Sequence, residues 1–75
     1  MPHVIVKMYP GKSEEQKQRL ADEIVKDFVE LLGYKEAALS VAIEEVPQSE
    51  WAEKVYRPEI IERPEKLYKK PGYKM

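Results

Sequence analysis

The chain has 75 residues, of which 43% are hydrophobic and none is cysteine. A lone core of this size rarely supplies more than about 3–5 kcal/mol, so small domains usually need disulfides, metal or oligomerisation. The lack of cysteine excludes disulfides, thiolate metal sites and thiol catalysis, and the single histidine cannot build a histidine-rich metal site. Self-association is the support that remains, and we predict at least a symmetric homodimer.

The charge balance argues against two classes of partner. The net charge is −1, from 13 basic and 14 acidic residues, so no chain-wide field attracts nucleic acid or an anionic membrane. No apolar run approaches the roughly 20 residues that span a bilayer. The first residues do not resemble a signal peptide. We therefore expect a cytoplasmic protein that binds neither nucleic acid nor membrane.

A strand and a long helix are predicted first. Residues 2–9 favour an extended conformation and predict a strand, and Pro10-Gly11 is expected to end it. Ser13 and Gln16 have the spacing of a capping box, and Gly33 is the expected stop of the helix. Apolar residues recur between these ends at steps of three and four, which predicts an amphipathic helix. Its core stripe is predicted to be Leu20, Ile24, Phe28 and Leu32.

The second strand is predicted over residues 39–46, with Pro47 at its end. A long helix between two strands favours parallel pairing with a right-handed crossover. The predicted fold is therefore α/β, with a β-α-β unit over residues 2–46. One helix covers only one face of such a sheet, and parallel sheets are normally covered on both. A second subunit would complete the sheet.

The remaining residues, 47–75, are predicted to form a short helical C-terminal extension of one domain, 1–75. Ser49 is expected to cap a first short helix, and Pro58 and Pro64 are expected to begin two more. Apolar and aromatic side chains occur throughout this part, so it is expected to pack on the core or on a partner.

Pro2 is the residue most suited to chemistry. Once Met1 is removed, its nitrogen is a secondary amine, and partial burial lowers the pKa of an amine. A neutral amine near physiological pH can serve as a general base or a nucleophile. Small second residues also occur simply because they permit removal of methionine, so the case for Pro2 depends on the pattern in the rest of the chain.

The order of residues after Pro2 resembles that of the 4-oxalocrotonate tautomerase family. The shared pattern is Met-Pro, a short apolar strand, Gly-Lys-Ser before Glu-Glu-Gln-Lys, an amphipathic helix, a Ser-Val-Ala-Ile-Glu strand and then an aromatic residue. Residues 2–51 carry it, and the longer ending through Lys69-Lys70-Pro71-Gly72-Tyr73 resembles a dimeric bacterial subgroup. The resemblance implies a β-α-β subunit whose N-terminal proline moves a proton between an enol oxygen and a carbon of a 2-oxo acid, without cofactor or metal.

Carried over by position, the resemblance makes Pro2 the base and puts Lys12 in place of an arginine that contacts substrate. Trp51 stands where the family has a pocket aromatic. Ser40 stands where the family has a second arginine, which binds the substrate carboxylate. That departure favours a monoacid with an apolar or aromatic tail. The remaining candidates for the lost charge are Arg57, Lys69 and Lys70.

Each of these residues also has a plainer interpretation. Lys12 can equally be a solvated surface charge. Its place before a helix N-terminus, where anions bind, favours contact with the substrate. Trp51 is also readable as a core or interface residue, and the hydroxyl of Ser40 as satisfied locally. His3 is expected on the strand face opposite Pro2, where packing or an interface is its better assignment.

The sequence thus predicts a cofactor-independent keto–enol tautomerase acting on a small monoacid such as an aryl enolpyruvate. Pro2 is the base, Lys12 and Ser40 hold the carboxylate, and Trp51 excludes water. Two alternatives stay open. One is a hydratase or dehalogenase of 3-substituted acrylates that uses protonated Pro2 as an acid, and the other is a non-catalytic dimeric interaction module. A pKa of Pro2 below neutral favours the tautomerase, and one above neutral favours the hydratase.

Overall fold

A computed structural model describes residues 1–75, and the chain divides into two compact units, Met1–Glu45 and Val46–Met75. The elements of the first unit are strand β1 (His3–Met8), helix α1 (Glu14–Leu32), a 3-10 turn (Glu36–Ala38) and strand β2 (Ser40–Glu45). The strands pair in parallel, from His3 with Ser40 to Met8 with Glu45. The predicted α/β fold with a β-α-β arrangement is confirmed.

Strand pairing gives the small sheet two unlike faces. Register partners in a parallel pair point to the same side, so Val4 with Val41 and Val6 with Ile43 form one partly buried apolar face. On the other face lies Ile5, which is 51% exposed. Helix α1 packs on β2.

Both ends of α1 follow from local chemistry. The hydroxyl of Ser13 accepts a hydrogen bond from the backbone N–H of Gln16 at 3.1 Å, and the Gln16 amide oxygen accepts one from the N–H of Ser13 at 3.0 Å. At the other end Gly33 adopts a left-handed conformation, with φ of 74°, and its N–H donates to the carbonyl of Val29. The predicted capping box and glycine stop are both confirmed.

The predicted core stripe of α1 is only partly buried. Ile24 and Phe28 are partly covered, whereas Leu20 is 38% exposed and Leu32 62% exposed. The assignment of Leu20 and Leu32 to the core of the chain is therefore wrong. Two strands of six residues are shorter than a 19-residue helix, so Leu32, the last residue of α1, extends past the sheet. Length does not explain the exposure of Leu20, because Lys17, nearer the helix start, still pairs with Glu45 of β2.

Lys17 links the first turn of α1 to the end of β2. Its ammonium lies 2.8 Å from a carboxylate oxygen of Glu14 and 3.4 Å from one of Glu45. The hydrogen bond to Glu14 raises the pKa of Lys17 above its ordinary value, with desolvation opposing and the charges of both carboxylates adding to the rise. The pair with Glu45 thus connects helix and strand.

The second unit is helical but irregular. Helix α2 (Gln48–Trp51) continues as a π-helix over Ala52–Ile61, and a 3-10 turn follows over Pro64–Lys66. Val55 in the π-helix is 6% exposed and is the only buried side chain of the protein. No helix in either unit combines the length and apolarity needed to cross a bilayer.

Two expectations about the second unit are wrong. Pro47, not Ser49, occupies the N-cap of α2, and Ser49 lies inside the helix. Pro58 lies in the interior of the π-helix instead of at a helix start, whereas Pro64 does begin its 3-10 turn. Local signals mark positions where a helix is able to begin, but the chain here continues through them.

The π-helix explains how Pro58 is tolerated. In an α-helix its ring would collide with the carbonyl four residues back, and it has no N–H to donate. The π-helical pattern bonds residues five apart, as in the N–H of Glu62 to the carbonyl of Arg57 at 3.0 Å. The wider turn accommodates the proline without ending the helix.

Candidate active site

Pro2 is held at the beginning of the sheet, immediately before β1. Its carbonyl accepts a hydrogen bond from the backbone N–H of Ser40 at 3.3 Å. Pro2 is partly buried, whereas Met1 is fully exposed, at 101%. Removal of Met1 therefore breaks no side-chain packing and leaves the nitrogen of Pro2 on a residue that β2 already positions.

Ser40 lies beside Pro2 through its backbone, while its side chain bonds to His3. The two residues are register partners, and Ser40 Oγ lies 2.6 Å from His3 Nδ1. With neutral His3 protonated on Nε2, the hydroxyl donates to Nδ1. With a proton on Nδ1, the ring donates to Ser40, whose own hydrogen is then free for another acceptor. The hydroxyl of Ser40 is therefore hydrogen-bonded, as expected, but to a residue 37 positions away on the neighbouring strand and not to a local group.

Sequence reasoning missed the bond between His3 and Ser40. Alternation along each strand is readable from sequence, but which residue of β2 faces which residue of β1 depends on the pairing register. The one usable signal is that both are polar residues at the start of their strands.

Lys12 lies at the other end of β1 from Pro2. It is exposed, and it precedes the N-cap residue of α1, in a loop where Gly11 has a φ of 129° that favours glycine. Pro2 precedes β1 and Lys12 follows it, and a strand of six residues spans about 20 Å. The strand therefore separates these two predicted site residues within one chain.

Trp51 is the last residue of α2 and belongs to the second unit. It is partly buried, and its indole N–H donates a hydrogen bond to the hydroxyl of Tyr73 at 3.1 Å. The ring of Tyr73 also contacts that of Tyr56, with centroids 5.6 Å apart and planes tilted by 36°. Tyr73 is thus a neighbour of a predicted site residue that sequence reasoning did not single out.

An open groove of about 230 Å³ lies between α1 and β2. It contains none of the four predicted site residues, and the ion pair of Glu14 and Lys17 lies in its wall. Its lining is Glu14, Lys17, Gln18, Ala21, Val41 and Ile43. The groove is therefore separate from the candidate site around Pro2.

The chain contains no cluster of three or more His, Asp or Glu side chains that could bind a metal ion.

The chain is similar to known tautomerases along its length. Residues 2–57 match the family model described as tautomerase enzyme. The chain is 45% identical over 73 residues to a probable tautomerase of Xylella fastidiosa, covering 97% of this chain and 89% of that protein. It is 42% identical over 76 residues to tautomerase PptA of Cronobacter sakazakii, covering 100% of both. PptA is the subgroup that the long ending resembles.

A solved structure supports the same assignment. YwhB, described as a homologue of 4-oxalocrotonate tautomerase, matches with a TM-score of 0.61 and 36% identity, covering 63% of this chain and 77% of its own. The resemblance inferred from the sequence is confirmed by family, relatives and fold together. The chain belongs to the tautomerase family of enzymes, which are isomerases.

Proposed function

We propose that the protein is a keto–enol tautomerase that ketonises a small enolic 2-oxo acid, with Pro2 as general base after Met1 is removed. One observation carries the assignment of the base. Pro2 is partly buried and hydrogen-bonded to Ser40, directly behind a Met1 that is fully exposed. The amine would therefore be uncovered on a residue that is already ordered.

The environment of Pro2 suits a neutral amine. Once Met1 is removed, partial burial of Pro2 would disfavour the charged form of its amine, the effect that favours a neutral base. A base with a pKa near the working pH combines the correct protonation state with a useful driving force. The fixed φ of proline limits the directions in which the lone pair can point.

The proposed reaction is balanced in protons. Neutral Pro2 removes the proton of the enol hydroxyl, and the oxygen lone pair forms the carbonyl bond. The electrons of the carbon–carbon double bond then take a proton from the prolinium, which returns to the neutral amine. One proton leaves oxygen and one reaches carbon, so the step needs no redox partner or cofactor.

Lys12 is proposed to bind the substrate carboxylate, and the Lys12 that does so belongs to a second copy of the chain. Pro2 and Lys12 lie at opposite ends of β1, so a substrate held at Pro2 would meet the Lys12 of a neighbouring subunit whose strand runs the other way. The exposed Ile5 of the bare sheet face and Leu32 of α1 would gain cover in the same homodimer. Lysine provides a point charge for the carboxylate, without the paired donors of arginine.

Ser40 and Trp51 are proposed to contact opposite ends of the substrate, Ser40 the polar end and Trp51 the apolar end. Ser40 would donate to a carboxylate or carbonyl oxygen only when His3 donates to Ser40, because otherwise its hydrogen is used by the imidazole. The hydroxyl shares the strand face of His3, opposite Val4 and Val6, so the substrate would have to reach it from Pro2 around the start of the sheet. Trp51 would cover the apolar end and exclude water. One cation and one neutral donor suit a monoacid better than a dicarboxylate, and the aromatic suits an aryl enolpyruvate.

The test is ultraviolet-monitored ketonisation of an aryl enolpyruvate, with protein whose mass confirms loss of Met1. We expect kcat/KM to fall by about a hundredfold or more when Pro2 is blocked by an alkylating reagent, because the added group keeps the enol hydroxyl away from the nitrogen lone pair that must accept its proton. Pro2→Ala should cause a smaller loss, because its primary amine is still a base. Pro64→Ala changes an exposed proline elsewhere and should stay within about twofold.

Each other outcome contradicts a defined part of the proposal. Full activity after alkylation would exclude Pro2 as the base. No acceleration by the unmodified protein would exclude this substrate class. A pH–rate profile that requires protonated Pro2 above neutral pH would favour the hydratase alternative instead.

A further inference from the structure

Tyr73 contacts Trp51 through a directional bond. The indole N–H is a donor only, and the hydroxyl of Tyr73 accepts it at 3.1 Å. The two residues are 22 positions apart, so the contact fixes the end of the chain to the helix. Because the indole nitrogen lies at the edge of a rigid ring, one bond there restricts rotation of the whole side chain.

Tyr73 is itself held from a second direction. Its ring lies 5.6 Å from that of Tyr56 with a tilt of 36°, a separation within the range of favourable aromatic pairs. Tyr68, five residues earlier, is 105% exposed. Tyr73 is 45% exposed, so it makes these two contacts at the surface, where the ring of Tyr68 has none of its area covered.

The π-helix places Trp51 and Tyr56 where one residue can touch both. In an α-helix, residues five apart lie about 140° from each other around the axis. In a π-helix, the residue five positions on closes one hydrogen-bonded turn, so it lies close to the same face. The wide turn that begins at Ala52 thus brings the indole and the phenol ring to the side on which Tyr73 packs.

We infer that Tyr73 is the positioning residue of Trp51, so that the C-terminal segment at residues 71–73 sets how the pocket aromatic is presented to the apolar end of the substrate. The inference rests on the proposed function for its effect on catalysis. The positioning of the indole by Tyr73 does not depend on the proposed function. Loss of the Tyr73 hydroxyl should weaken substrate binding and leave the proton transfer at Pro2 unchanged.

The test compares Tyr73→Phe with Tyr68→Phe, which removes a hydroxyl from a fully exposed ring. Trp51 is the only tryptophan, so the emission reports on the surroundings of this indole. We expect Tyr73→Phe to give a red-shifted emission and a higher acrylamide quenching constant. KM should rise about three- to tenfold, which corresponds to the net free energy of one hydrogen bond, and kcat should change by less than about twofold. Tyr68→Phe should match the unchanged protein in emission, quenching, KM and kcat.

The same substitution in a Trp51→Phe background separates positioning from general stability. There Tyr73→Phe should leave KM unchanged, because phenylalanine has no N–H for the hydroxyl to hold. Equal effects in both backgrounds, or fluorescence of Tyr73→Phe like that of Tyr68→Phe, would overturn the inference. A protein that fails to ketonise the substrate contradicts the proposed function, and the fluorescence comparison then still decides whether Tyr73 positions the indole.

Discussion

The two units of the chain differ in how regularity and burial are distributed. The first, Met1–Glu45, has regular strands and a well-capped helix of 19 residues but no buried side chain. The second, Val46–Met75, is short and irregular, yet it contains Val55, the one buried side chain. It also contains an aromatic cluster formed by Trp51, Tyr56 and Tyr73. Regular secondary structure in this protein therefore reflects local capping and strand pairing, and it does not coincide with burial of side chains.

The difference extends to the candidate site. The proposed base, Pro2, belongs to the unit whose elements begin and end at local signals, and it is held by backbone pairing with Ser40. The proposed pocket aromatic, Trp51, belongs to the unit whose helix continues past such signals, and it is held by a side-chain bond to Tyr73. Substitutions in the two units should consequently act by different mechanisms.

The largest effect on stability is expected for Val55→Ala. Loss of two buried methyl groups and the remaining cavity should lower the free energy of unfolding by about 1.5–3 kcal/mol. Val29→Ala, at a site 38% exposed on α1, should cost less than about 1 kcal/mol. Chemical denaturation followed by circular dichroism and Trp51 fluorescence measures both. Equal losses would mean that burial does not distinguish the two units.

A smaller effect is expected for Gly33→Ala. Gly33 has a φ of 74°, and no atom lies within 4 Å of an added Cβ, so the cost is backbone strain alone, about 1–2 kcal/mol. Gly72→Ala is the matched control, because it also meets no atom and has no positive φ. Its effect should be within about 0.5 kcal/mol. The same denaturation experiment compares them, and a neutral Gly33→Ala would remove the local account of where α1 ends.

The smallest effect is expected for Ser13→Ala, which removes the N-cap of α1. The expected loss is about 1 kcal/mol. Ser49→Ala is a control, because Ser49 is exposed inside α2 and caps nothing, and alanine is the better helix former. Thermal unfolding should show a lower Tm for Ser13→Ala and no decrease for Ser49→Ala. A comparable decrease for both would mean that Ser49 caps α2 in solution.

The first unit was predictable because its signals are close together in the chain. Ser13 and Gln16 are three residues apart, and Gly33 ends the helix through a bond to Val29, four residues back. Parallel pairing followed from the length of the helix between the strands. The extent of burial did not follow, because Leu20 and Leu32 repeat at helical spacing but stay exposed, and Leu32 ends a helix longer than the six-residue strands.

The second unit was less predictable because its local signals conflict with its tertiary contacts. Ser49 and Pro58 are typical of helix starts, yet both lie inside a continuous helical segment. Part of that segment is π-helical, a conformation that intrinsic propensities do not indicate. The role of Tyr73 was equally hidden, since nothing near it in sequence indicates Trp51.

By itself, the sequence determined the β-α-β order, both ends of α1 and the family, and it indicated Pro2 as the residue to propose as the base. These rest on interactions between residues that are near in sequence or on motifs that are read in order. Only the tertiary structure decided that Ser40 faces His3, 37 positions away, and that Tyr73 holds Trp51. Such bonds depend on strand register and helix pitch, and a shift of one residue in either would turn the side chains apart.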